Sequence, residues 1–195
     1  MQPDATRQAR TERPALRTAL LAARDRFVAG PAFAEAETAL QRRLVEVLHQ
    51  LEPDCLGLYW PMRSEFNAVQ ACAADASLAA IDWALPFCRR ANHAMDYRLW
   101  NKRQPVQIDE CGLGSGDGRP VVPDVVVLPC VGYSVAGYRL GYGAGYFDRW
   151  QAAHPHVTAV GVAWSVGLLD DADFRPEPHD QPLMLVVTEL GVVGG

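Results

Sequence analysis

A chain of 195 residues, 49% hydrophobic and 21% charged, is long enough to bury a sizeable core and too apolar to be globally disordered. Its formal net charge of -5 offers no general attraction to nucleic acid or to an acidic membrane surface, so an anionic ligand needs a local basic pocket. The five cysteines are widely spaced and contain no C-x-x-C pair, which excludes a zinc ribbon and a disulfide framework and leaves small, free, mostly buried thiols.

The charged N-terminus without an apolar core, and the lack of any run near about 18 apolar residues, make the cytoplasm the expected compartment, with no membrane or nucleic-acid partner. One domain spanning residues 1–195 is expected.

In chain order, Thr6 to about Val28 is rich in Ala, Leu and Arg, with Leu16, Leu20 and Phe27 near one face, and reads as an amphipathic helix. Arg13 and Arg17 lie four apart on it, either as a solvated surface or as an anion clamp. Gly30-Pro31 punctuates the chain, and Ala32 to Leu51 reads as a second helix with Leu40, Leu44, Val47, Leu48 and Leu51 facing inward. Cys55 to Tyr59 is a short apolar run of the kind buried in a parallel sheet, and it delivers the loop Trp60 to Phe66. In an open α/β sheet ligands bind at the carboxyl ends of strands, which makes this loop a place for a site. Ser64 is expected to cap a helix from Glu65 to about Ala79, where Glu65 would either satisfy the helix dipole or bind a ligand.

Strands are predicted over Ala80 to Leu85, ending at Pro86, and over Met95 to Trp100. From Lys102 to Pro123 the apolar pattern fades and glycines accumulate, so a long mobile loop is expected. Val125 to Leu128 is a β-branched strand, Gly145 to about Ala153 a helix, and Val157 to Ala163 and Leu183 to Val187 two further strands. The alternation reads as an α/β fold, a three-layer α/β/α domain with a mostly parallel sheet.

The stretch Gly137 to Trp150, G-Y-R-L-G-Y-G-A-G-Y-F-D-R-W, carries the most chemistry. Gly141, Gly143 and Gly145 remove Cβ atoms so that backbone N–H groups can turn toward one anion, just before a helix N-terminus. Arg139 and Arg149 add positive charge on either side, and Asp148 supplies a hard oxygen of the kind Mg²⁺ accepts. The alternative is a glycine-rich turn whose aromatic residues simply pack. No G-K-[ST] follows the glycines, so this is not a Walker-type NTPase. Asp180, in the polar loop Glu177 to Pro182, is either a turn residue or a second metal ligand.

The order of these pieces resembles the 5-formyltetrahydrofolate cyclo-ligase family, also called 5,10-methenyltetrahydrofolate synthetase, over nearly the full length. The resemblance rests on P-D-V-V-V-L-P-C-V-G-Y-S-V-A-G-Y-R-L-G-Y-G-A-G-Y-F-D-R (Pro123 to Arg149), on Y-W-P-M-R-S-E (Tyr59 to Glu65), on D-x-P-L-x-x-V-V-T-E (Asp180 to Glu189) and on the N-terminal R-P-A-L-R. It implies ATP- and Mg²⁺-dependent closure of 5-formyltetrahydrofolate to 5,10-methenyltetrahydrofolate, by a monomer or weak homodimer acting on small molecules.

By the same resemblance Arg13, Arg17, Arg139, Leu140, Gly141, Tyr142, Gly143, Ala144, Gly145, Tyr146 and Phe147 would bind ATP. Trp60 and Glu65 would bind folate together with Tyr142 to Tyr146, Arg139 and Tyr146 would be catalytic, and Asp148 and Asp180 would hold Mg²⁺. Ala144 stands where many members carry Lys or Gly, Phe147 where they carry a second Tyr, and Gln107 to Gly112 lacks the Pro that usually follows its Glu. Two alternatives stay open, a nucleotide-binding paralogue without this activity and an ATP-dependent enzyme acting on another heterocycle.

Overall fold

The computed structural model describes residues 5–170 and 173–194. Helix α1 (Ala5–Val28) is followed across Gly30 by α2 (Phe33–Leu51). Leu40, Leu44, Val47 and Leu48 of α2 are buried at the spacing that builds one apolar face. Glu52 takes the left-handed conformation (φ 46) and its N–H returns to the Leu48 carbonyl at 3.1 Å, which stops the helix before Pro53. Strand β1 (Cys55–Gly57) then enters the core, its start fastened where the Asp54 and Cys55 N–H groups donate to the Asp124 carboxylate.

The helix expected over Glu65 to Ala79 is instead two short ones, α3 (Ala68–Ala73) and α4 (Ala76–Ala80). Two side chains compete for helix N–H groups and reset the chain. Asn67 accepts from the Gln70 N–H at 3.0 Å, and Asp75 accepts from those of Ser77 and Leu78. Ser64 is no cap: its hydroxyl is held between Arg24 and Asp25, and Glu65 lies in a loop rather than in a helical first turn.

Strand β2 (Asp82–Arg89) does not end at Pro86 but runs through it. The Ala84 carbonyl faces β1 and accepts from the Leu58 N–H, and Pro86, two residues on, faces the same way beyond the last β1 residue, where no N–H is needed. β3 (Ala94–Trp100) pairs antiparallel with β2 along its length.

The segment expected as a mobile loop is folded into β4 (Gln107–Ile108), β5 (Gly114–Ser115) and β6 (Pro120–Val121). Its glycines permit close packing rather than motion: a Cβ on Gly116 would stand 2.4 Å from the Arg98 carbonyl oxygen. Then come β7 (Val125–Pro129), the hairpin β8 (Gly132–Tyr133) and β9 (Arg139–Leu140), α5 (Tyr146–Ala153), β10 (Thr158–Val162), β11 (Leu185–Val187) and β12 (Val192–Val193).

The central sheet has eight strands in the order β12-β11-β10-β7-β1-β2-β3-β6. The run from β11 to β2 is parallel, and β12 and β3 are antiparallel to their inner neighbours. Alternate residues of β7 face opposite layers. Val125 and Val127 pack with Leu44 and Leu48 of α2 and Ala71 of α3, whereas Val126 and Leu128 pack with Trp150 of α5. The sheet is thus sandwiched between helices.

At its centre, a Cβ on Gly57 would stand 2.7 Å from Val126 Cγ1 and 2.9 Å from the Tyr97 ring. Gly57→Ala is therefore expected to lower the unfolding free energy by about 1–3 kcal/mol through overpacking, measured by equilibrium urea denaturation with an unchanged m-value.

Candidate active site

β1 and β7 are neighbours in the sheet, yet the chain leaves β1 toward β2 on one side and β7 toward β10 on the other. Their carboxyl ends therefore open a crevice at the point where strand order reverses. A cleft of ≈ 530 Å³ occupies it. Arg13, Arg17, Trp60, Glu65, every residue from Arg139 to Asp148, and Asp180 line this cleft. They come from the N-terminal helix, the loop after β1, the segment after β7 and the C-terminal loop.

In the glycine turn, Gly143 and Gly145 adopt φ values of 98° and 65°, and Gly145 caps α5. An L side chain is strained in that conformation, so the alternate glycines are a backbone requirement. The Arg17 Nε donates to the Gly141 carbonyl at 2.6 Å, and its guanidinium lies 3.1 Å from where a Gly143 Cβ would stand. Burial and the charge of Arg13 both act against protonated Arg17 and lower its pKa, a tension that a bound anion would relieve. Arg139 is 6% exposed, pairs with Asp148 at 3.0 Å, and keeps a buried Nε without a hydrogen-bond partner.

Arg13 reaches 167 residues along the chain to Asp180, at 2.6 Å, and lies 3.4 Å from Glu177. Burial works against the Asp180 carboxylate, but the hydrogen bonds from Arg13 and the Glu177 N–H prevail and hold its pKa below the usual range. Arg149, expected beside the phosphate site, lies outside the lining. It donates to the His93 and Ala144 carbonyls at 3.0 and 2.8 Å and so braces the glycine turn from behind.

Elsewhere in the cleft, Glu65 accepts from the Met62 N–H at 2.8 Å through Oε2, while its buried Oε1 has no hydrogen-bond partner. Trp60 is held edge-on to Trp100, with ring centroids 5.8 Å apart. The Tyr146 hydroxyl lies 3.4 Å from Cys111 Sγ and donates to the Arg89 carbonyl at 3.3 Å.

Sequence reasoning missed Arg24, which is 3% exposed and donates to the Ser64 hydroxyl at 3.1 Å and the Tyr142 hydroxyl at 2.8 Å. Its signal was available: Arg13, Arg17 and Arg24 fall on one helical face. Glu177, His179, Cys88 and Cys111 also line the cleft without having been singled out for it.

Burial raises the Glu65 pKa, and the Met62 N–H, the Tyr142 hydroxyl and Arg24 oppose this without cancelling it. A carboxyl whose folded pKa is raised favours the fold below its unfolded pKa, and that contribution is lost as pH rises through the folded value. Glu65→Gln, which cannot ionise, is expected to gain thermal stability over the natural protein as pH rises from about 4 to 8. Paired melting curves across that range check the sign.

A model of the 5-formyltetrahydrofolate cyclo-ligase family matches residues 9–189. Among curated relatives, a 5-formyltetrahydrofolate cyclo-ligase of Mycoplasma pneumoniae is 33% identical over 67 residues, 34% of this chain and 39% of the relative. A probable 5-formyltetrahydrofolate cyclo-ligase of Schizosaccharomyces pombe is 22% identical over 120 residues, 52% of this chain and 59% of the relative. The matched stretches thus span less than two thirds of either relative.

Two solved structures share the fold. A 5,10-methenyltetrahydrofolate synthetase from Mycoplasma pneumoniae superposes with a TM-score of 0.68 at 21% identity, over 91% of this chain and 99% of the other. The solution structure of the Aquifex aeolicus 5,10-methenyltetrahydrofolate synthetase gives 0.70 at 22% identity, over 93% and 92%.

Proposed function

The chain belongs to the 5-formyltetrahydrofolate cyclo-ligase family, and we propose that its cleft closes 5-formyltetrahydrofolate to 5,10-methenyltetrahydrofolate at the expense of ATP. What carries this reading is a pair of buried groups left unmatched in one cleft, the Nε of Arg139 and the Oε1 of Glu65. A buried polar group without a partner costs about 1–3 kcal/mol. An unmet cationic donor beside a glycine turn fits a phosphate, and an unmet carboxylate oxygen fits the N–H edge of a pterin.

In this reading the ATP phosphates lie over Gly141 to Gly145 at the N-terminus of α5, with Leu140 and Phe147 on the apolar sides and Arg13, Arg17 and Arg139 supplying charge. Asp148 and Asp180 fit Mg²⁺ by donor type, since both are cleft carboxylates and each is held by an arginine, at 3.0 and 2.6 Å. With phosphates taking up those arginines, Asp148 and Asp180 would be the residues free to hold the ion. The ion supplies charge neutralisation among the phosphate oxygens.

The folate lies against Trp60 and the Tyr142–Tyr146 segment, with Glu65 holding its amino-pyrimidinone edge and the Tyr146 ring offering a stacking wall. The formyl oxygen on N5 attacks the γ-phosphorus and ADP departs. N10 then attacks the activated carbon and gives up its proton to the departing phosphate, which carries off the former formyl oxygen. No side-chain nucleophile is required. The chain's own part is to align the reacting atoms and to present Arg139 and the turn N–H groups to the developing charge.

Purified protein supplied with ATP, Mg²⁺ and 5-formyltetrahydrofolate is expected to raise the near-ultraviolet absorbance of the methenyl product. Folded protein giving no ATP-dependent rise overturns the proposal. Arg139→Gln is expected to lower kcat by about 100- to 1,000-fold, the cost of losing one pre-positioned donor, with a smaller change in KM for ATP. Glu65→Ala is expected to raise KM for the folate far more than for ATP. An equal rise in both would indicate a displaced loop rather than a lost folate contact.

A further inference from the structure

Outside the phosphate-binding turn, the wall of the cleft holds a cluster that ring closure does not use. Cys88 comes from β2, and Asp109 and Cys111 from the β4–β5 hairpin. The two Sγ atoms and a carboxylate oxygen all lie within 4.8 Å of one another. Among the described residues this is the one group of three or more His, Cys, Asp and Glu side chains so arranged. Simple packing accounts for a buried thiol such as Cys72 or Cys130. It does not account for two thiols converging on one buried carboxylate.

We propose that Cys88, Asp109 and Cys111 form a binding site for a thiophilic divalent cation, Zn²⁺, with its open coordination position facing the cleft.

Asp109 is the hub. Its Oδ2 accepts from the Cys88 N–H at 3.1 Å, and its Oδ1 accepts from the N–H groups of Cys111 and Leu113 at 2.9 and 2.8 Å. The backbones of both cysteines are therefore fixed to the same carboxylate before any ion arrives, the arrangement that orients metal ligands in established sites. Oδ2 accepts only one of these backbone bonds, and the carboxylate also meets the Cys88 thiol, whose proton an incoming metal would displace.

With Zn–S bonds of about 2.3 Å, tetrahedral ligand atoms stand about 3.7 Å apart, so closing on the ion moves them by about 1 Å or less. Cys111 sits in a turn and is only half-buried, which lets it take up that movement. Cys88 and Cys111 both line the cleft, so a fourth position opens into it. Three protein ligands and one open position is how zinc is held where it meets small molecules. Two thiolates and one carboxylate favour Zn²⁺ over the hard Mg²⁺, which prefers oxygen ligands alone, so the site is chemically separate from Asp148 and Asp180.

The test is metal binding by the reduced full-length chain, read directly and whatever the organic substrate of the cleft. Cobalt(II) serves as the spectroscopic probe. One equivalent is expected to give a thiolate-to-cobalt charge-transfer band that one equivalent of Zn²⁺ abolishes, and Zn²⁺ is expected to slow alkylation of the half-buried Cys111 without changing that of Cys55. Cys111→Ser and Cys88→Ala should each remove the band, and Cys55→Ser should leave it intact. Because Cys111 is half-buried, Cys111→Ser decides the matter even if Cys88→Ala fails to fold. Absence of the band, its survival in folded Cys111→Ser, or its loss in folded Cys55→Ser would overturn the assignment.

Discussion

The site depends on holding a basic helix against a glycine turn that is itself basic. α1 carries Arg13, Arg17 and Arg24 toward Arg139, and the mutual repulsion of these guanidiniums opposes the contact. Three sets of hydrogen bonds offset it: Arg17 to the Gly141 carbonyl, Arg24 to the Tyr142 hydroxyl, and Arg13 to Asp180. Hydrogen bonds to charged groups contribute about 1.5–3 kcal/mol each. The apolar face of the same helix adds to this, with Leu16 and Leu20 packed on Leu140, Leu169 and Phe174. The cations are thus fixed in place by contacts that do not require a ligand, so an anion bound there would demand little reorganisation.

The parallel sheet supplies the other half of that economy. Because β1 and β7 are adjacent but lead away from each other, the loops after them cannot close over the crevice between their ends. One loop brings Trp60 and Glu65, the other brings the glycine turn and the start of α5. Arg24 couples the two, since it donates both to Ser64 in the first loop and to Tyr142 in the second. The fold therefore holds unmatched buried groups on Arg139 and Glu65 between segments that are themselves tied together by hydrogen bonds. Their cost is small against the apolar burial on both faces of the sheet.

Several elements were misjudged from sequence for reasons that lie in competition between local signals. The run from Glu65 to Ala79 has helical composition, yet Asn67 and Asp75 each capture backbone N–H groups and split it into two helices. Pro86 looked like a strand end because a proline cannot donate, but its missing N–H faces a position β1 has already vacated. The glycines of 112–118 looked like mobility, although Gly116 and Gly118 are there to let the chain lie on the β3 carbonyls. In each case the residue type was read correctly and its partner was not visible. The five apolar strands of the parallel core and the helices that cover them were legible, because burial imposes a period that the sequence must carry.

What the sequence determined by itself was whatever a few consecutive residues must do together. Gly143 and Gly145 need left-handed backbone, Arg139 and Asp148 flank that turn within one short segment, and α1 and α2 carry their apolar stripes in their own spacing. Tertiary structure alone decided which distant groups meet. It set Arg13 on Asp180 at a separation of 167 residues, buried Arg24 between two loops, left one buried oxygen of Glu65 without a hydrogen-bond partner, and drew Cys88 and Cys111 to the same carboxylate. Those pairings follow from the crossover connections of the sheet, which bring segments together with no trace in local periodicity.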